Sequence, residues 1–166
     1  MSVTFYEPAP FPSNEIARTH RVYESRLLEA INNPILHAIA LNAKNLFRAD
    51  WAGIALIFDE VQEVIASSGG RLGRYDRARS LAAHAILSPL EVLCLADAKE
   101  DGRFGANPFV RVDLIRYFVA APIIDAQGYA LGALCASSRF PRQVTDPDDL
   151  EKLQALAAQV APTSSI

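Results

Sequence analysis

The sequence predicts an α+β domain in which helices cover a mostly antiparallel sheet, and three observations carry that expectation. Apolar residues recur with helical spacing near both ends of the chain and in shorter strand-like runs between, with no repeating βαβ unit. Asp125-Ala126-Gln127-Gly128 joins the last two apolar runs through a tight turn in which glycine supplies a positive φ, the connection of an antiparallel hairpin. The length of 166 residues, 51% of them hydrophobic and 21% charged, suits one globular domain with a full core. The expected division is an extended arm over residues 1–13, a single domain over 14–161 and a tail over 162–166.

Pro8, Pro10 and Pro12 alternate through the arm, a spacing that neither a helix nor a central strand tolerates. Asn14 is suited to an N-cap, and Ile16, Tyr23, Leu27, Ala30 and Ile31 recur at helical spacing as far as Asn32 and Asn33, which predicts a first helix. Pro34 opens a second helix in which Ile35, Ile39, Ala43, Leu46 and Phe47 form an apolar stripe. After Trp51 the run AGIALIFD turns at Asp59-Glu60 into VQEVIAS, so two strands are predicted as a hairpin. Gly69, Gly70 and Gly73 mark an arginine-rich loop that leads into a short helical segment from Ser80 to Ile86, ended by Pro89. VLCLAD at 92–97 reads as a third strand, and YFVAAPIID at 117–125 pairs with YALGALCASS at 129–138. Thr145 or Asp146 caps a last helix, with Pro147 in its first turn and Leu150, Leu153, Leu156, Ala157 and Val160 along one face.

Sixteen Lys and Arg against 19 Asp and Glu leave a net charge of -3, and no basic run could track successive phosphates, which argues against a nucleic-acid partner. The start, MSVTFYEPAPFPSNE, lacks the basic end and apolar stretch of a signal peptide, and no apolar run nears the ~20 residues that span a bilayer. A cytoplasmic protein without a membrane partner is therefore expected. Cys94 and Cys135 are the only cysteines, with no Cys-x-x-Cys pair or His/Cys cluster, so reduced structural thiols and no metal site are expected. No Ser/His/Asp set or phosphate-binding glycine loop stands out, so no catalytic residue is assigned.

The segment from Asp97 to Val110 holds acids, an arginine and an aromatic residue in little regular pattern. Its Asp97, Asp101, Arg103, Phe104, Asn107, Pro108 and Val110 fit the spacing D-x-x-x-D-x-R-F-x-x-N-P-x-V, and Gly128, Leu131, Gly132, Leu134, Cys135, Pro141 and Arg142 supply further matched positions. With SLAAHAI before it and RYFVAAPI at 116–123, the chain from about Asn14 to Val160 resembles the GAF domain family, in particular the N-terminal GAF domains of bacterial histidine kinases and cyclases. The resemblance implies an antiparallel sheet of five or six strands with N- and C-terminal helices on one face. On the other face, loops and short helices form a pocket. It departs at Leu81-Ala82, where a Phe-Cys pair is common, at Val119-Ala120 and at Ser138. Relatives usually carry an output domain, so the expectation here is a stand-alone sensory or regulatory module that signals to a separate output protein.

For a ligand site the resemblance points to His84, Asp97, Asp101, Arg103, Phe104, Tyr117 and Cys135, with ligand and cofactor unassigned. Asp97, Asp101 and Arg103 could equally cap turns and pair with one another to fix the loop, with Phe104 and Pro108 plugging it onto the core. No cysteine stands beside His84, which speaks against covalent bilin attachment. Arg71, Arg74, Arg77 and Arg79, alongside Tyr75, could gate an anionic ligand such as a cyclic nucleotide, or simply stay solvated. Two alternatives to ligand sensing are an interaction domain whose pocket is filled by large side chains such as Tyr117, Phe118 and Leu134, and a free methionine sulfoxide reductase using Cys94 or Cys135. The terminal helices imply a homodimer, with Val22 and Leu28 as a candidate seam.

Overall fold

A computed structural model describes residues 5–163 of the chain. Residues 1–4 of the expected arm and 164–166 of the expected tail lie outside the described residues. The centre is a six-stranded antiparallel sheet in the order β3-β2-β1-β6-β5-β4. Its strands are β1 (Trp51–Phe58), β2 (Val61–Ser68), β3 (Gly73–Asp76), β4 (Leu93–Leu95), β5 (Tyr117–Ile124) and β6 (Ala130–Ser138). Both expected hairpins form, and β6 lies between β1 and β5, so the two halves of the chain meet at the middle of the sheet. The segment 73–76, expected as loop, pairs with β2 from Val61 to Val64. Edge pairing draws this short polar run into a strand that its own composition does not announce.

The described residues form the α-helices α1 (Glu15–Glu24), α2 (Pro34–Phe47), α3 (Ala82–Ala85), α4 (Pro108–Arg111), α5 (Pro147–Ala157) and α6 (Val160–Thr163). Asn33 and Asp146 cap α2 and α5, each accepting a backbone N–H two residues on with proline in the first turn. Leu36, Ile39, Ala40, Ala43 and Phe47 of α2 and Leu153 and Ala157 of α5 bury against one face of the sheet, beside Ile54, Leu56, Val119 and Leu134. The opposite face is covered by α3 and the 97–110 segment, through Leu81, Ala83, Ile86, Phe104 and Val110.

The expected first helix stops at Glu24 instead of running to Asn33. The Ser25 hydroxyl donates to the Val22 carbonyl at 2.6 Å and accepts from the Leu27 N–H at 3.2 Å, and Arg26 takes a left-handed φ of 62°. A side chain that bonds its own backbone in this way offers an alternative to the helical ladder, and a 3-10 turn follows at Leu27–Ala30. The buried side of α1 is also not the expected one: Ile16 is 89% exposed, whereas Arg18 and Val22 are buried. Val22 sits at 0% exposure in the core and is spent there, which removes it from the expected dimer seam.

Polar bonds hold α1 in place. The Arg18 guanidinium donates to the carbonyls of Ile57 at 2.6 Å and Ala130 at 3.1 Å, just past the last β1–β6 pair, and so caps the point where the two strands part. Arg21 reaches Asp125 at 2.6 Å in the β5–β6 turn, and Tyr23 donates to Asp59 at 2.5 Å in the β1–β2 turn. Glu15 receives both Arg18, at 2.7 Å, and Arg77, at 2.6 Å, while Arg77 also donates to the Asp59 carbonyl at 2.8 Å.

Burial pushes the Glu15 carboxyl up, but hydrogen bonds from Arg77 and Arg18 and their positive charges outweigh it and hold the group at about 2, down from 4.5. Such a depressed acid contributes stability that is full above its unfolded value and lost as pH falls toward the folded one. Unfolding free energy is therefore expected to drop by about 3 kcal/mol between pH 5 and pH 2 on account of this residue. Glu15→Gln should remove that part of the pH dependence and lower stability at neutral pH by about 3 kcal/mol, since two buried guanidinium groups lose their counter-ion. Urea denaturation of both proteins across this range checks it, and identical profiles would mean that the cluster stabilises nothing.

Candidate functional site

A cavity of about 260 Å³ lies on the face of the sheet opposite α2 and α5. Ala55, Phe118 and Cys135 of the sheet line it together with Leu81 and Ala82 at the start of α3. Phe109, Leu114 and Ile115, around and after α4, supply further apolar wall. Arg71 contributes from the β2–β3 loop, Tyr75, Asp76 and Arg79 from the strand and turn that precede α3, and Gln62, Ser80 and Ser137 add neutral polar groups.

Trp51 is the one tryptophan of the chain and forms part of this lining. Its indole N–H donates to the Ser67 hydroxyl at 2.8 Å, which fixes the ring over β1 and β2. The ring passes so close to the backbone that a Cβ on Gly53 would stand 2.4 Å from it and one on Gly70 2.7 Å. Only glycine at both positions leaves room for this side chain. The Ser80 hydroxyl bonds the Gln62 side chain and accepts from the Ala83 N–H at 3.0 Å, so it ties the first turn of α3 to β2. Ser137 is 6% exposed, stands opposite Trp51 in the β1–β6 register and has no hydrogen-bond partner for its hydroxyl among the described residues.

Within the arginine-rich stretch the four side chains divide. Arg74 pairs with Glu63 at 2.8 Å and Arg77 is spent on Glu15 and the Asp59 carbonyl. Arg71 and Arg79 are exposed, line the cavity and bond no other described residue through their guanidinium groups. The Asp76 carboxylate nearby accepts the Ala78 N–H at 3.1 Å.

Of the seven residues expected at the site, Cys135 lines the cavity and the other six lie elsewhere. His84 is hydrogen-bonded to Tyr6 of the arm at 2.9 Å and packs edge-on against Phe104, 4.7 Å between ring centres. Burial, and then the nearby Arg103 charge, lower its pKa to about 4 against a smaller pull from Asp101. Asp97 accepts the Lys99 N–H and binds Arg116 at 2.6 Å, and Asp101 accepts the Arg103 N–H and pairs with that guanidinium at 3.0 Å. In each case the arginine partner holds the carboxyl below its ordinary range. Phe104 is fully buried as the plug of its loop, whereas Pro108, expected beside it, is exposed. Tyr117 points to the α2–α5 side, where it shares a 2.8 Å hydrogen bond with Thr145 under the Arg142 guanidinium.

Asn107 links the loop to the cavity: it caps α4 and donates its side-chain amide to the Arg79 carbonyl at 3.0 Å. Sequence reasoning passed over Trp51 and Ser137. The available signal was one tryptophan two residues before a glycine, but the elements that fold over it are set by strand register.

Cys94 packs with the α2–α5 face and Cys135 with the cavity face, with β5 between their strands. Side chains on opposite faces cannot bridge without tearing the sheet. Burial pushes the Cys135 thiol up to about 12, far from the thiolate that redox chemistry needs.

The GAF domain family profile matches residues 33–163. A cyclic di-GMP phosphodiesterase of Pseudomonas aeruginosa is 33% identical over 152 residues, and the match takes in 91% of this chain and 26% of that protein. The chain thus spans about a quarter of the length of this curated relative. The blue-light-absorbing form of the Thermosynechococcus elongatus PixJ GAF domain superposes with a TM-score of 0.66 at 14% identity, covering 84% of this chain and 87% of that one. A type II free methionine-R-sulfoxide reductase from Thermoplasma acidophilum superposes at 0.61 and 17% identity, covering 86% and 94%. At these identities the two structures show a shared fold. Among the described residues no helix is long and apolar enough to cross a membrane.

Two solution measurements check the site. The His84 imidazole should titrate near pH 4 by NMR and stay neutral through the physiological range, whereas a midpoint near 6.5 would place the ring in water. A bulky thiol reagent should label the half-buried Cys94 of the native protein and reach Cys135 only after denaturation. Recovery of a Cys94–Cys135 bridge by mass spectrometry after mild oxidation would contradict the placement on two faces.

Proposed function

The chain belongs to the GAF domain family, and on that premise we propose that it is a sensory or regulatory module whose cavity holds a small organic molecule and whose terminal helices carry the signal. The observation that supports this most is the cavity itself, apolar over most of its wall, yet containing the unpartnered Ser137 hydroxyl. A concave, mainly apolar site with a few convergent polar groups is the usual form of a small-molecule pocket.

A route to the helices leaves from the same wall. Asp76, Arg79 and Ser80 line the cavity, and Arg77 between them is bonded to Glu15 of α1. A guest that shifts the 76–80 segment acts on α1 through that pair. The exposed Ile16 and Tyr23 of α1 would then meet a twin or an output partner. The Pseudomonas relative has a similar stretch within a much longer phosphodiesterase, a setting in which such a module would tune a reaction carried by other residues.

A thermal-shift screen of cyclic nucleotides, amino acids, aromatic acids and 2-oxo acids tests the reading. A ligand present at 100 times its Kd adds about 2.7 kcal/mol, or about 5–10 °C in Tm for a domain of this size. The response should vanish in two independent cavity-filling variants, Ala55→Val and Ala82→Leu. The proposal fails if nothing in the screen shifts the native protein, or if the filled variants respond as it does.

A further inference from the structure

We propose that the cavity selects a compact anionic molecule with a flat apolar body, such as an aromatic carboxylic acid, whose charge is held at the mouth by Arg71 and Arg79. The inference rests on the cavity being a ligand site and adds the chemical class of the guest.

Charge argues for the anion. Four arginines lie between residues 71 and 79, and the two that turn away from the cavity each have a carboxylate, Glu63 for Arg74 and Glu15 for Arg77. The two that line it, Arg71 and Arg79, have neither carboxylate nor carbonyl of a described residue within bonding distance of their guanidinium groups. Their one acidic neighbour in the lining, Asp76, is engaged by the Ala78 N–H as the cap of the turn, and it balances only one of the two positive charges. Guanidinium groups present five donors in a planar fork that matches a carboxylate, and no described residue takes up those donors here.

The position of Arg79 is fixed from behind. Asn107 donates to its carbonyl, and its neighbours Arg77 and Ser80 are bonded to Glu15 and Gln62. The side chain thus springs from a held backbone at the mouth of the cavity, which lowers the ordering cost of gripping a ligand.

Shape and polarity argue for the body. Trp51, Phe109 and Phe118 contribute aromatic surface, with Val64, Leu114 and Ile115 between them. The Trp51 ring is held flat by Gly53, Gly70 and the Ser67 hydroxyl and so offers a planar wall that does not turn aside. About 260 Å³ suits a guest of one or two rings.

Phenylacetate and its neutral counterpart phenylacetamide separate charge from shape, and the fluorescence of the single tryptophan reports from the cavity wall itself. Phenylacetate should bind the native chain about tenfold more tightly than the amide, the least that a charge-assisted hydrogen bond contributes. In Arg71→Gln/Arg79→Gln, which alters two exposed and unpaired side chains, that preference should collapse while amide binding holds. Equal binding of the two probes, or a preference for the acid that survives the double substitution, overturns the assignment of charge. If neither probe binds while the thermal-shift screen yields neutral or cationic ligands that Ala82→Leu blocks, the anionic class is wrong and the ligand site stands. If the screen also yields nothing, the site itself falls.

Discussion

The buried cluster of Arg18, Glu15 and Arg77 is the constraint on which the rest of the architecture depends. Arg18 is 1% exposed and Arg77 4%, and neither can be taken out of water without partners for its donors. The carbonyls of Ile57, Ala130 and Asp59 and both oxygens of Glu15 supply most of them, although the Arg77 Nε is left over. Those partners come from α1, from both central strands and from the β1–β2 turn. The cluster therefore fixes where the first helix crosses the end of the sheet. A group of this kind is weak evidence for net stability, because well-packed apolar side chains could replace it at little cost. Removing one member is another matter, since the remaining charges have no water to turn to.

Fixing that corner also fixes the cavity. Arg77 opens the turn between β3 and α3, so its attachment to Glu15 holds the neighbouring Asp76, Arg79 and Ser80 in the cavity wall. From the other side, Asn107 of the irregular segment grips the Arg79 carbonyl. The conspicuous polar residues of that segment, Asp97, Asp101 and Arg103, are consumed in holding the segment itself together. Irregular backbone has to find partners for its own polar groups, and side chains used in that way are not free for a guest. The cavity wall is therefore apolar over most of its extent, and the unpaired charge sits outside that segment, at Arg71 and Arg79.

Sheet and terminal helices are the common property of a family whose members bear many different functions, and the likeness to PixJ and to the sulfoxide reductase is of that kind. What distinguishes this chain lies in few side chains. Its two thiols are separated by the sheet, His84 is neutral against Phe104 and Tyr6, and the two arginines that line the cavity, Arg71 and Arg79, have no ion-pair partner among the described residues.

The sequence by itself determined the fold class, both hairpins, the proline-opened helices α2 and α5 and the role of Phe104 as a plug, because these follow from periodicity, turn chemistry and capping over a few neighbouring residues. Only the tertiary structure decided which residues meet across the cavity. Tyr117 and Phe118 are adjacent in the chain, and the alternation of a strand sends one toward the terminal helices and the other to the cavity. The same parity separates Cys94 from Cys135 once β5 lies between their strands. The end of α1 at Glu24 and the exposure of Ile16 follow from Ser25 bonding its own backbone and from long-range arginine contacts, which no helical period encodes. Trp51 could be read as a strand residue, but its place beneath Gly70 and across from Ser137 depends on register between segments far apart in the chain.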